Sequence, residues 1–377
     1  MIENPFITKG YVSEELFCDR ENETRRLLSN LQSGMDTVLI SPRRYGKSGL
    51  ILHTFEQLKK IRPEYFTLYV DISATSTLNG FLDALSSSIL QAFPEKSALG
   101  KRFITFLKQL RPFFTLNERT GAMEVHLELV SQLQKETTLK QLLDLLEKAP
   151  QPVAFAIDEF QQIIDYPEKN VEAMLRSQIQ HMHNVRFIFC GSKRRMMVSM
   201  FNDAARPFYA SCASMHLDKL DKTVYGQFIR RQFDKEGRSI RDDALDYVLD
   251  WTRCHTYYTQ QVCHELFENG ARDITIDVVH AVCRDILDSQ RENYLLLREI
   301  LPTQQWRFLT GVAREGIVKQ ISANAFVSKY RIGSAATALR AAQSLEEKEL
   351  ILKNLSVQEV TYQVYDVFFS HWLEREF

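Results

Sequence analysis

The sequence predicts an α/β protein: a five-stranded parallel sheet with helices on both faces, then an all-helical region and a small C-terminal helix–hairpin module. Three observations carry this reading. The apolar run Val38-Leu39-Ile40 leads into Gly46-Lys47-Ser48, which opens a helical stretch. A second apolar run, Val153-Ala154-Phe155-Ala156-Ile157, ends in the adjacent acids Asp158 and Glu159. Strand and helix signals alternate up to residue 220, and strand signals then cease until the C-terminal part.

The first region, 1–220, reads as follows. Glu23 to Ser33 is amphipathic and closed by Gly34. The short strand 38–40 has the β-branched, wholly apolar character of a central parallel strand, and Gly49 to Lys60 forms the next helix. Tyr65 to Ile72 is a strand and Leu78 to Ala92 a helix; Pro94 and Gly100 interrupt the pattern. Residues 101–149 read as mostly helical, with Leu139, Leu142, Leu143 and Leu146 at three- and four-residue spacing. Pro150 and Pro152 bound the strand 153–157. A helix from Val171 to His183, a strand from Val185 to Cys190 and a short fifth strand, Ser214 to Leu217, complete the region.

Region 221–300 is predicted to be helical: 221–236 ending at Gly237, 241–252, 256–269 ending at Gly270, and 276–298 capped by Thr275. Pro302 marks the boundary to region 301–377. There Ser322 is expected to cap a helix through Tyr330, Gly333 makes a turn, and Ser334 caps a second helix, Ala335 to Lys348. Leu350 to Lys353 and Glu359 to Tyr365 are extended, giving a winged helix-turn-helix.

The chemistry follows from where polar residues meet these strands. In an open α/β sheet, ligands bind beyond the carboxyl ends of the strands. A loop ending Gly-Lys-Ser at a helix N-terminus turns backbone N–H groups toward phosphates, with the helix dipole behind them. Lys47 is then placed for the β- and γ-phosphates and Ser48 for Mg²⁺. The first glycine of the common pattern is replaced by Ser41, which tolerates positive φ less well. Asp158 is placed to hold Mg²⁺ through water and Glu159 to polarise the attacking water. Together the two motifs predict hydrolysis of ATP or GTP.

The ordered motifs resemble the archaeal-type ATPases of the AAA+ class of P-loop NTPases, relatives of the origin-recognition and Cdc6-like initiators and of the STAND ATPases. The resemblance spans nearly the whole chain. It rests on Asn4-Pro5-Phe6, the box Phe17-Cys18-Asp19-Arg20-Glu21-Asn22-Glu23, Pro42-Arg43-Arg44-Tyr45-Gly46-Lys47-Ser48, Ile157-Asp158-Glu159-Phe160-Gln161, Phe187-Ile188-Phe189-Cys190-Gly191-Ser192, and Tyr365-Asp366 through Trp372-Leu373. It implies an AAA+ core, a helical lid and a C-terminal winged helix, with ATP and Mg²⁺ as ligand and cofactor. Asn4, Pro5, Phe6, Phe17 and Arg20 would line the adenine pocket, and residues 42 to 49, Gly49 included, the phosphates. Ser192 would sense the γ-phosphate, alongside Glu159 and Lys47 in catalysis, and His255 would approach the phosphates from the lid. The family's arginine ahead of the fifth strand is absent from Pro207-Phe208-Tyr209-Ala210-Ser211, leaving Arg206 as a shifted substitute.

Bulk properties narrow the setting. A net charge of −1 over 377 residues gives no global attraction to nucleic acid or anionic membrane, so any such contact must be local. Arg331, Arg340 and Gln343 could face a DNA groove, with Lys329 and Lys353 on phosphates. Against this, Glu346, Glu347 and Glu349 favour a protein-contact module. The six cysteines lack paired C-x-x-C spacing, as expected of reduced thiols in the cytoplasm. No apolar run approaches the ~18 residues that span a bilayer, and a homo-oligomer is compatible with the family resemblance. The function expected is a slowly hydrolysing ATP-driven switch acting on the winged helix. The alternatives are a nucleotide-gated scaffold with little turnover, or a DNA-binding regulator whose nucleotide is structural.

Overall fold

A computed structural model describes residues 4–93, 97–118, 121–355 and 359–377. The chain forms two compact units, residues 9–219 and residues 220–377 joined by the extreme N-terminal segment.

The first unit contains α1 (Glu21–Gln32), β1 (Thr37–Ile40), α2 (Lys47–Ile61), β2 (Phe66–Asp71), α3 (Leu78–Ala92), α4 (Ala98–Gln109), β3 (Phe113–Leu116), β4 (Met123–His126), α5 (Gln132–Glu147), β5 (Val153–Asp158), α6 (Val171–Ile179), β6 (Val185–Gly191), α7 (Arg194–Asn202) and β7 (Ala213–His216). Five strands form one parallel sheet in the order β2-β5-β6-β1-β7. Period-two alternation divides its side chains between two faces. Val38, Ile40, Phe155, Ile157, Phe187 and Phe189 join α3 and α5 in one core cluster. Leu39, Ala154, Ala156, Ile188 and Cys190 meet Leu27, Leu31, Leu50 and Phe55 of α1 and α2 in another. Small alanines on the second face give those helices room to lie close to the sheet.

The second unit contains α8 (Lys222–Lys235), β8 (Ser239–Ile240), α9 (Asp242–Trp251), α10 (Thr256–Glu268), β9 (Asp273–Ile274), α11 (Ile276–Ser289), α12 (Arg291–Ile300), α13 (Thr303–Glu315), α14 (Asn324–Lys329), α15 (Ala335–Glu347), β10 (Ile351–Leu355), β11 (Val360–Val364) and α16 (Val367–Glu376). The helices before Pro302 and the winged helix after it share aromatic packing. His371 of α16 stacks on Trp251 at 4.5 Å, and Tyr258 of α10 meets Phe368 edge-on at 4.7 Å. Arg253 Nη2 donates to Ser370 Oγ at 2.9 Å.

Several expectations are corrected. Residues 101–149 are not mostly helical throughout: β3 and β4 form an antiparallel hairpin. All four side chains of β3 are exposed, so no inward-facing apolar period marked it. Gly100 does not interrupt a helix but sits in the first turn of α4, its N–H donating to the cap Ser97 Oγ; Pro94 lies outside the described residues. The 276–298 helix divides at Gln290, where ψ rises to −3°. Ser322 does not cap α14, whose N-cap is Ala323. The helical region also holds the short parallel pair β8–β9, and Val318 adds a bridge to Tyr362 beside the wing. Thr275 and Ser334 do cap their helices, accepting from Val278 and Thr337 N–H groups.

Candidate functional site

Because the sheet is parallel, the carboxyl ends of β1, β5 and β6 lie at one edge, and Asp71 of β2 is in register with Asp158 of β5. The loop after β1 carries its left-handed backbone at Arg44 (φ 65°) and Gly46 (φ 86°), not at Ser41. The serine in place of the usual first glycine is therefore unstrained; it is buried, and its Oγ donates to the Pro42 carbonyl at 3.1 Å. Lys47 is buried too, its Nζ donating to the Ser41 and Pro42 carbonyls at 3.1 and 2.9 Å. The loop thus holds its own cation inward. Tyr45 anchors the loop in the core, and burial pushes its phenol up to about 12. Arg43 and Arg44 are exposed.

Asp158 is the hub. It is buried, and its Oδ2 accepts from Ser48 Oγ at 2.6 Å and from Tyr69 OH at 2.6 Å; Oδ1 accepts from the Glu159 N–H at 2.9 Å. Burial, reinforced by the Asp158 charge, pushes the Tyr69 phenol up, so it stays a donor. Burial first, then Asp158, likewise holds the neighbouring Cys190 thiol neutral. Glu159 has left-handed backbone (φ 56°, ψ 39°), an uncommon conformation for a non-glycine residue. Its carboxylate accepts from Ser192 Oγ at 2.7 Å and from Gln161 Nε2. Gln161 is itself buried and Gly191 leaves it space: a Cβ at 191 would sit 2.3 Å from Gln161 Oε1.

These residues are brought together: Lys47, Ser48, Asp158, Glu159 and Ser192 all lie at the carboxyl edge of the sheet. Sequence reasoning missed Tyr69 and treated Gln161 only as part of a motif. Mid-strand tyrosine reads as ordinary strand propensity, so no signal distinguished Tyr69.

The N-terminal box packs against α2, which follows this loop. Phe17 stacks on His53 at 4.3 Å and faces Gly49. Arg20, buried and with φ 77°, donates to Glu23 at 2.9 Å and to the Asp218 carbonyl. Asn4, Pro5, Phe6 and His255 belong to the other unit. There Phe6 packs on Phe233 at 4.8 Å, Asn4 Nδ2 donates to Glu268 at 2.7 Å, and His255 is buried at the start of α10. Arg206 forms a 2.8 Å ion pair with Glu172 of its own chain.

The donor set suits a small hard cation. Ser48 and Asp158 offer hydroxyl and carboxylate oxygens at one point, and Mg²⁺ prefers few protein ligands completed by phosphate oxygens and water. Among the described residues there is no cluster of three His, Cys, Asp or Glu side chains that would suit a transition metal.

Comparison with known proteins gives the same architecture. The family described as "ATPase domain predominantly from Archaea" matches residues 17–261, and "probable winged helix domain" matches residues 292–375. A Walker-type ATPase of Pyrococcus abyssi is 17% identical, with a TM-score of 0.67 over 98% of this chain and 99% of that one. The Aeropyrum pernix ORC2 protein, solved with ADPNP and ADP, is 13% identical with a TM-score of 0.61, covering 99% of this chain and 96% of its own. The ORC1 protein of the same organism, solved with DNA, is 11% identical with a TM-score of 0.52, over 96% of this chain and 93% of that one. No curated protein matches in sequence.

Proposed function

The chain belongs to the family of ATPase domains found predominantly in Archaea, and within it we propose a Mg²⁺-dependent, slowly hydrolysing ATP switch whose output is the winged helix. The observation that supports this most is the 2.6 Å contact between Ser48 and Asp158, with Glu159 and Ser192 joined beside it. In this reading Lys47 leaves its two loop carbonyls for the β- and γ-phosphate oxygens, while the loop N–H groups and the α2 dipole bind the phosphate chain. Ser48 and Asp158 would hold Mg²⁺. The ion, when bound, neutralises charge on the β- and γ-phosphates. Glu159 accepts the proton of the attacking water as general base. Ser192 releases Glu159 to donate to the γ-phosphate. Phe17 and Arg20 frame the nucleotide side of the loop.

The shared packing of α9, α10 and α16 supports movement of the helical region and the winged helix as one body. A protein in the cytoplasm working on DNA or a protein partner fits this output. No helix among the described residues is long and apolar enough to cross a membrane. The slow-scaffold reading draws support from one contact: Arg206, the remaining arginine candidate, is occupied by Glu172. An arginine finger is worth about 10³–10⁵ in rate, so its absence would leave slow turnover.

The test is phosphate release and calorimetric ATP binding, with and without Mg²⁺. Mg²⁺-dependent binding with slow release is expected. Failure of ATP to bind sinks the whole proposal, and binding without any hydrolysis leaves the scaffold.

A further inference from the structure

A second basic feature of the molecule is separate from the phosphate loop. A cleft of about 570 Å³ opens in the unit of residues 220–377, between the end of α12, one face of α13 and the turn after α14. Its volume lies in the range of small-molecule sites, roughly 300–1,000 Å³. Arg298, Arg307, Arg314, Lys329 and Arg331 all line it, and among the described residues its lining contains no aspartate or glutamate.

The cations are unequally satisfied. Lys329 is paired with Glu315 at 2.6 Å. Arg307 donates to the Arg331 carbonyl at 3.0 Å, a neutral partner, and Arg298 lies 5.0 Å over the Phe377 ring. Among the described residues, none of Arg298, Arg307, Arg314 and Arg331 has a carboxylate partner. Gathering unpaired guanidiniums in one concavity is unfavourable by itself, and low-dielectric walls focus their field on whatever enters. Planar guanidinium forks match phosphate oxygens two at a time, which lysine does not. Buried Trp306 and Leu301, with the Phe377 ring, add an apolar wall. The expected DNA-facing residues Arg340, Gln343 and Lys353 do not line the cleft, whereas Lys329 and Arg331 do.

We propose that this cleft binds a phosphate ester through Arg298, Arg307, Arg314 and Arg331, as an anion site distinct from the phosphate loop. The phosphate could come from a free phosphorylated small molecule or from a nucleic-acid backbone, and the test separates the two. The full chain carrying Lys47→Ala, without the phosphate-loop cation, is titrated calorimetrically with sodium tripolyphosphate, ADP and a short single-stranded oligonucleotide. Tripolyphosphate or ADP should bind, weaken about tenfold in Arg314→Gln, and weaken further in Arg307→Gln/Arg314→Gln. Binding of the oligonucleotide alone, weakened by the same substitutions, assigns the phosphate to a nucleic-acid strand. Arg314 is exposed and makes no hydrogen bond among the described residues, so Arg314→Gln by itself separates loss of ligand from loss of fold. No binding by any of the three probes, or affinities unchanged by both sets of substitutions, overturns the proposal.

Discussion

Replacing Tyr69 with phenylalanine tests the role of the Asp158 hub with one atom. The ring keeps its place in β2, and only the hydroxyl that donates to Asp158 Oδ2 at 2.6 Å is lost. A hydrogen bond to a charged group contributes about 1.5–3 kcal/mol, and Asp158 is buried, so water replaces the donor poorly. The sheet unit should unfold about 3–12 °C lower, at about 2–4 °C per kcal/mol for a domain of this size. The effect on ligand binding should exceed that on an ordinary stability variant. If Mg²⁺ draws Ser48 away, Tyr69 and the weaker Cys190 thiol are left to fix the Asp158 carboxylate. Without it, the Mg²⁺ concentration for half-maximal ATP binding should rise about tenfold, the equivalent of 1.4 kcal/mol. Binding of nucleotide in the absence of Mg²⁺ should be unchanged. Scanning fluorimetry and calorimetric titration across Mg²⁺ concentrations read both quantities. A Tyr69→Phe protein that melts normally and keeps its Mg²⁺ requirement would reduce Tyr69 to packing.

Lys47→Ala should abolish ATP binding or weaken it by orders of magnitude, and calorimetry showing wild-type affinity would remove the loop from the site. Glu159→Gln should bind ATP normally and hydrolyse it at least about a hundredfold more slowly, since an amide cannot act as base; unchanged phosphate release would rule Glu159 out. Gly191→Ala forces a Cβ to within 2.3 Å of Gln161 Oε1 and 2.5 Å of Met197 Sδ, and the overpacking should cost about 1–3 kcal/mol in chemical denaturation. Burial raises Asp83 to about 6. A carboxyl raised on folding keeps its proton in the native state, so its contribution is present below about pH 4 and lost as pH rises through 6. Asp83→Asn, still able to accept from the Leu127 N–H, should therefore be more stable than wild type at pH 7 and should show no gain at pH 4; equal stabilisation at both would refute the titration.

The parts most legible in the sequence were those where burial and chemistry coincide. β1, β5 and β6 are apolar runs ending in residues that apolar strands do not otherwise carry, so both the strands and the polar edge could be read. The hairpin β3–β4 escaped because Phe113, Phe114 and Leu116 face solvent, and an exposed strand has no inside to set a period. Tyr69 escaped for a different reason. Its partner, Asp158, is 89 positions away, and a contact of that span leaves no mark on local pattern. The break at Gln290 lies inside one continuous amphipathic stretch, where spacing alone favours a single long helix.

The strand order has a consequence for how the molecule is made. β1 carries the phosphate loop, yet its hydrogen-bonding neighbours are residues 188–191 and 213–216. A chain emerging from the ribosome therefore exposes its loop strand long before either neighbour exists. Such non-local pairing is slow, because the closure entropy of the whole intervening segment precedes the contact. The strand that carries the loop is flanked on both sides only after β7 has been added, and a ligand that bound only the finished sheet would shift the folding equilibrium at that late stage by mass action.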